Sequence, residues 1–264
     1  VGNLYFAQED YKTAVEYYQE AIEEDSRPVY YRDLIISAVK AGETGFAQRM
    51  LEAAKREGLQ DEELMLTEQE ISYAKEEMEK VTEIAEMLVQ SKNSEIAGYS
   101  SLLGAKAYGV LGDYEKQAKY LETAYELGRD KRCLRELGGA YLEAANTQGV
   151  IAKKEYLTKA ERCYEKLQQS YAVSYRDQMN LAVIQENLGK YAQAESLLKE
   201  LAEQYPEEYE VYMHLAYMNL KMEKEAKAAD YFKKASQYYE KAGSPGDSAM
   251  TELQDYMEQM GETP

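Results

Sequence analysis

The sequence predicts an all-α chain of stacked antiparallel helix pairs, and three observations predict it. Residue types recur about every 34 positions: Tyr212, Leu215, Ala216 and Asn219, then Ala228, Phe232 and Ala235, repeat the slots of Gln178, Leu181, Ala182 and Gln185, then Ala194, Leu198 and Leu201. Within each period, apolar residues stand three and four apart on either side of a Gly-containing or polar turn, the pattern of two amphipathic helices. Pro28 and Pro206 punctuate the pairs, because proline lacks a backbone donor and disfavours a helical residue before it. Such units bury their apolar faces only by stacking, so the 264 residues are expected to form one elongated array.

The first unit carries Gly2 and Tyr5, then Tyr11, Ala14, Tyr18 and Ala21, but its opening turn is missing, as though a longer chain had been cut within a helix. The second has Tyr31, Leu34, Ile35, Ala38 and Gly42, then Ala47, Leu51 and Ala54. The third, Glu62 to Val89, departs most from the pattern: Val81, Ala85 and Leu88 hold its second-helix slots among many carboxylates. The fourth keeps Tyr108, Gly112, Tyr114, Leu121 and Ala124 but places Gln117 where a small residue is usual. In the fifth, Leu137, Gly138 and Tyr141 are followed by Ala160, Tyr164 and Leu167, with about nine residues more than the usual spacing. Helices longer by a turn or two would absorb them; a loop over 144–153 is the alternative. The sixth predicts helices Tyr175 to Asn187 and Tyr191 to Gln204 around Leu188-Gly189-Lys190. The seventh sets Phe232 between Ala228 and Ala235, large beside small, where overpacking would cost roughly 1–3 kcal/mol. After Ser244-Pro245-Gly246, a last amphipathic helix presents Ala249, Met250, Leu253, Tyr256, Met257 and Met260, with Asp247 or Ser248 as N-cap.

This order of large, Leu, small and aromatic slots, then small, large and small, resembles the tetratricopeptide repeat. The resemblance implies a right-handed superhelical α-solenoid of about seven repeats over residues 1–246, with a capping helix and tail over 247–264. It also implies a protein or peptide partner held on the concave face by the first helix of each pair. The family's contact slots select Arg32 and Ile36, Leu102 and Lys106, Arg135 and Gly139, Met179 and Val183, Met213 and Tyr217. Arg32, Lys106 and Arg135 suggest a wall for an acidic group, and Met179, Val183, Met213 and Tyr217 an apolar trough. The bland alternative is that the cations pair with Asp33, Glu136 and Glu70 on a solvated face. The clamp by which chaperone-binding members hold a terminal carboxylate needs Lys and Asn together; Lys106 and Asn180 lie two units apart.

Composition narrows the function. The net charge of −18 disfavours nucleic acid and anionic lipid, which bind by neutralising phosphates. The acidic stretch Asp61 to Glu95 reads as a solvated face open to a basic partner. There are 26 Tyr, 3 Phe and no Trp, so the aromatic core role passes to a ring with a polar tip. Cys133 and Cys163 offer neither a disulfide framework nor a metal-ligand set and read as buried thiols. No apolar run is long enough for membrane insertion. His214 is the one histidine, and no phosphate loop, HExxH or EF-hand pattern occurs, so no catalytic residue, metal or cofactor is expected. The cytoplasm is the expected compartment, although the opening Val1-Gly2-Asn3 is compatible with a leader removed from a parent protein. The leading expectation is a non-catalytic scaffold. The alternatives are a regulatory or sensory tail of a larger bacterial enzyme, such as a protein kinase, or of a membrane-associated protein, and a small-peptide sensor.

Overall fold

The computed structural model describes residues 1–59, 61–128, 131–147, 149–169 and 173–261, leaving aside the side chains of 28, 131 and 150. All regular structure among them is helical. Two compact units divide the chain, 1–140 and 141–264.

The first unit contains α1 (Gly2–Ala7), α2 (Tyr11–Glu24), α3 (Pro28–Lys40), α4 (Thr44–Arg56), α5 (Glu62–Ala74), α6 (Met78–Leu88), α7 (Ser94–Val110), α8 (Tyr114–Gly128) and the start of α9 (Lys131–Thr147). The second contains the rest of α9, then α10 (Val150–Gln168), α11 (Tyr175–Asn187), α12 (Tyr191–Gln204), α13 (Tyr209–Lys221), α14 (Glu225–Lys241) and α15 (Ser248–Gln259). Within each unit consecutive helices pack as the period requires, α1 to α8 in the first and α10 to α15 in the second. The extra residues of the fifth repeat lengthen its helices, with 17 in α9 and 19 in α10 against 13 and 14 in α11 and α12; residue 148 lies outside the described residues.

One backbone device makes the turn inside six of the helix pairs. The residue after the turn donates to the carbonyl five positions back: Asp10 to Tyr5, Glu43 to Ala38, Glu77 to Ser72, Asp113 to Tyr108, Lys190 to Gln185 and Lys224 to Asn219. This closure needs a left-handed residue just before the donor. Gly42, Gly112 and Gly189 supply it with φ of 78, 76 and 74°, at no Cβ cost, whereas Glu9, Glu76 and Glu223 are held at 61, 60 and 58°. Pro28 opens α3, where its missing N–H is an orphan in any case. Pro206 lies in the turn after α12 and accepts from the Tyr212 hydroxyl at 3.0 Å.

Small residues set how closely helices approach. In the first unit, Ala14, Leu34, Ala38, Ala47 and Ala54 are fully enclosed. The irregular third repeat packs as tightly, with Val81, Ala85 and Leu88 at most 1% exposed. A Cβ on Gly104 of α7 would lie 2.6 Å from the Ala85 Cβ, so glycine there brings α7 onto α6. Gln117 is accommodated in the same way: a Cβ on Gly109 would lie 2.6 Å from its Nε2, so the small partner has moved to the opposite helix. Gln69 of α5 is buried and donates to the Val81 and Ser100 carbonyls at 3.1 and 3.2 Å, tying α6 to α7.

Tyrosine takes the structural role expected of it in the second unit. Tyr175 meets Tyr205 edge-on at 4.9 Å and donates to Glu210; one period later Tyr209 meets Tyr239 at 5.1 Å and donates to Asp247 at 3.0 Å. Burial, then the neighbouring carboxylate, pushes the hydroxyls of Tyr175 and Tyr209 upward. Asp247 in turn caps α15 by accepting from the Ala249 and Met250 amides. Met250, Leu253 and Met257 of α15 are buried in the cluster that also holds Phe232, Ala228's neighbour Ala229, and Ala235. Tyr256 and Met260, expected on that same buried face, are instead 50% and 38% exposed. A three-and-four stripe through 250, 253 and 257 is as much as one seam covers. Cys133 and Cys163 are both buried.

Candidate partner-binding face

In the first unit, a cavity of about 460 Å³ opens where α3, α5 and α7 lie side by side. These are the first helices of three successive pairs. Arg32 and Ile36 line it from α3, Leu66, Thr67 and Glu70 from α5, and Ile96 and Tyr99 from α7, with Glu63 and Glu95 also at its wall. Two of the residues selected by the family's contact slots, Arg32 and Ile36, are therefore in it together.

Its electrostatics differ from the basic wall expected. The Arg32 guanidinium is engaged by Asp33 at 3.1 Å and by Glu63. Burial is the largest influence on Arg32 and works against its charge, but the hydrogen bonds it donates to Glu63 and Asp33 outweigh it, and the net shift is upward. Glu70 is raised above the usual carboxylate range, chiefly by burial, although the Tyr99 hydroxyl and Lys40 oppose the rise. Tyr99 is pushed up to about 12 by burial and by Glu70. Three carboxylates, Glu63, Glu70 and Glu95, thus face one arginine whose charge is already answered. The wall around Arg32 carries more carboxylates than cations, and the Arg32–Asp33 pair is the alternative that the sequence left open.

The other selected residues are placed differently. Lys106 on α7 and Arg135 on α9 are exposed and do not line this cavity. In the second unit, Met179 and Met213 are each 4% exposed and belong to the apolar core cluster, so they are packing residues where an open trough was expected. An unbranched thioether readily turns into a seam between close helices. Val183 is half-buried. Tyr217 is half-buried too and donates to the Ala249 carbonyl at 2.9 Å, so its hydroxyl is committed to α15. His214 lies 2.9 Å from a Glu186 carboxylate oxygen through Nδ1.

Leu66 and Glu70 escaped the reading because the third repeat's first helix matches the pattern poorly. The signal was nevertheless present. Arg32 and Ile36 precede Ala47 by the same intervals at which Leu66 and Glu70 precede Val81. Counting back from the second helix would have found them.

A chain of consecutive two-helix units is a helical-repeat protein. Residues 1–28 and 179–246 match tetratricopeptide repeat models, so the chain carries tetratricopeptide repeats at both ends. No curated protein matches it. Solved structures share the fold: the C-terminal part of a TPR repeat-containing protein from Cytophaga hutchinsonii aligns over 96% of this chain and 97% of that one, at 14% identity and a TM-score of 0.63. YrrB, a TPR protein with an unusual peptide-binding site, aligns over 91% and 99% at 14% identity and a TM-score of 0.52. A double mutant of MamA from RS-1 aligns over 70% and 97%, at 14% identity and 0.53. At such identities the likeness concerns the fold. Among the described residues no helix is long and apolar enough to cross a membrane, and no group of His, Cys, Asp or Glu is arranged to hold a metal ion.

Proposed function

We propose that this chain is a non-catalytic scaffold that binds a segment of another protein, or a peptide, on the face made by its first helices. The observation that carries the reading is the cavity shared by α3, α5 and α7. Its size falls within the roughly 300–1,000 Å³ of ligand pockets, and it joins apolar walls to a few polar groups, the usual make-up of a recognition site. Rigid helices hold those walls, which limits the ordering cost of binding. A displayed random peptide library captured on the intact chain tests the reading, with Leu66→Arg as the comparison. Leu66 is half-buried at the cavity wall, so a long charged side chain there occupies the opening. Capture should be lost in a variant that keeps its helical circular dichroism. Equal capture by the two proteins would remove the cavity from the binding face.

A further inference from the structure

The cavity has a neighbour of different chemistry. A second opening of about 240 Å³ is lined by Gly98 and Leu102 of α7, Ala124 and Leu127 of α8, and Cys133 of α9. Glu95 and Tyr99 border both openings, so the Tyr99 ring, 45% exposed, is the ridge between them. Gly98 keeps the second floor low: a Cβ there would already stand 3.4 Å from the Leu127 Cβ. Leu127 is itself 44% exposed, an apolar side chain left facing water.

The larger opening is short of positive charge. Arg32 is taken by Asp33 and Glu63, and neither Glu70 nor Glu95 has an ion-pair partner among the described residues. Lys40 acts on Glu70 only at a distance, its ammonium lying over the Phe6 and Tyr11 rings at 5.9 and 5.6 Å. A desolvated carboxylate without an adjacent cation gains most from one that a ligand brings. An exposed tyrosine face beside it adds a cation–π surface.

We propose that the two openings are adjoining subsites for a basic peptide segment: a lysine or arginine side chain enters between α3, α5 and α7 toward Glu70 and Glu95, and a nearby large apolar side chain seats on Gly98, Leu102 and Leu127. The Tyr99 ring packs between the two. This deepens, and rests on, the reading of the first-helix face as a binding surface. The net charge of −18 draws such a segment in from solution, so binding weakens as salt rises.

The experiment selects peptides from a random displayed library on the intact chain, then measures the most enriched one by fluorescence anisotropy against Glu70→Gln with Glu95→Gln, and separately against Leu127→Ser. Enriched peptides should carry arginine or lysine a few residues from a large apolar residue. The paired glutamine substitutions should weaken the peptide about tenfold, the loss of about 1.4 kcal/mol, and remove the preference for the basic residue. Leu127→Ser should weaken the same peptide while leaving that preference intact. Enriched peptides without basic residues, or affinities indifferent to Glu70 and Glu95, would overturn the basic-segment assignment and leave peptide binding standing. No enrichment at all on a folded chain would overturn both.

Discussion

Replacing Gly104 by alanine sets two effects of known sign against each other. Alanine in a helix gains roughly 1 kcal/mol over glycine. The new Cβ, however, would stand 2.6 Å from the Ala85 Cβ and 3.3 Å from Tyr120 Cδ1, whereas carbon atoms rest about 3.5–4.0 Å apart. Ala85 is fully buried and has no rotamer by which to yield, so α6 and α7 must separate by roughly 1 Å, at an overpacking cost of about 1–3 kcal/mol. The sum is a net loss of about 1 kcal/mol. Gly139→Ala is the control, because nothing lies within 4 Å of a Cβ there, and it should stabilise by about 0.5–1 kcal/mol. Urea unfolding followed by circular dichroism reads both changes, as opposite shifts in midpoint at a common slope. Adding Ala85→Gly to Gly104→Ala vacates the contested space, so the double-mutant cycle should show a favourable coupling of about 1 kcal/mol or more. If Gly104→Ala stabilises as Gly139→Ala does, or the cycle shows no coupling, the close-approach argument fails.

Three further outcomes are expected. Glu76→Gly should stabilise by about 0.5 kcal/mol in urea, since it relieves a left-handed glutamate at φ 60°, while Gly112→Ala at the equivalent turn should cost about 1 kcal/mol; the same sign for both would contradict the turn geometry. Burial works to raise Glu68, but hydrogen bonds from Lys55 and Lys80 outweigh it and hold its carboxyl below the ordinary 4.5. Its ionised form is therefore favoured by folding, a contribution present above 4.5 and lost as pH falls through the lower folded value, so Glu68→Gln should destabilise at neutral pH and approach the parent in acid; a gap independent of pH would contradict this. Tyr209→Phe removes the hydrogen bond to Asp247, at about 1 kcal/mol, and should speed amide exchange in α15 while leaving α1 to α8 unchanged.

Much of the fold was legible because the repeat writes packing into position. Ala182, Ala194, Ala216, Ala228, Phe232 and Ala235 were assigned to the interior by slot alone, and each is 0% exposed. The binding face was less legible. Arg32 was readable as a first-helix residue, but its pairing with Glu63 joins residues 31 positions apart on different pairs. The correct count for Leu66 and Glu70 was hidden by a first helix with an irregular pattern. The methionines failed for another reason: the contact slots place Met179 and Met213 beside the open face, whereas a flexible side chain goes wherever neighbouring helices leave room.

The amino-acid sequence by itself determined the helices, their pairing, the turns at Gly42, Gly112 and Gly189, and the small-beside-large matching of neighbours. These depend on intervals of a few residues or of one period, which a linear chain records directly. Only the tertiary structure decided that Gly109 makes room for Gln117, that Tyr99 and half-buried Glu70 line one cavity, and that carboxylates outnumber cations in the wall near Arg32. Those are properties of space between helices, where charge and volume are summed over residues from several repeats, and no single repeat contains the sum.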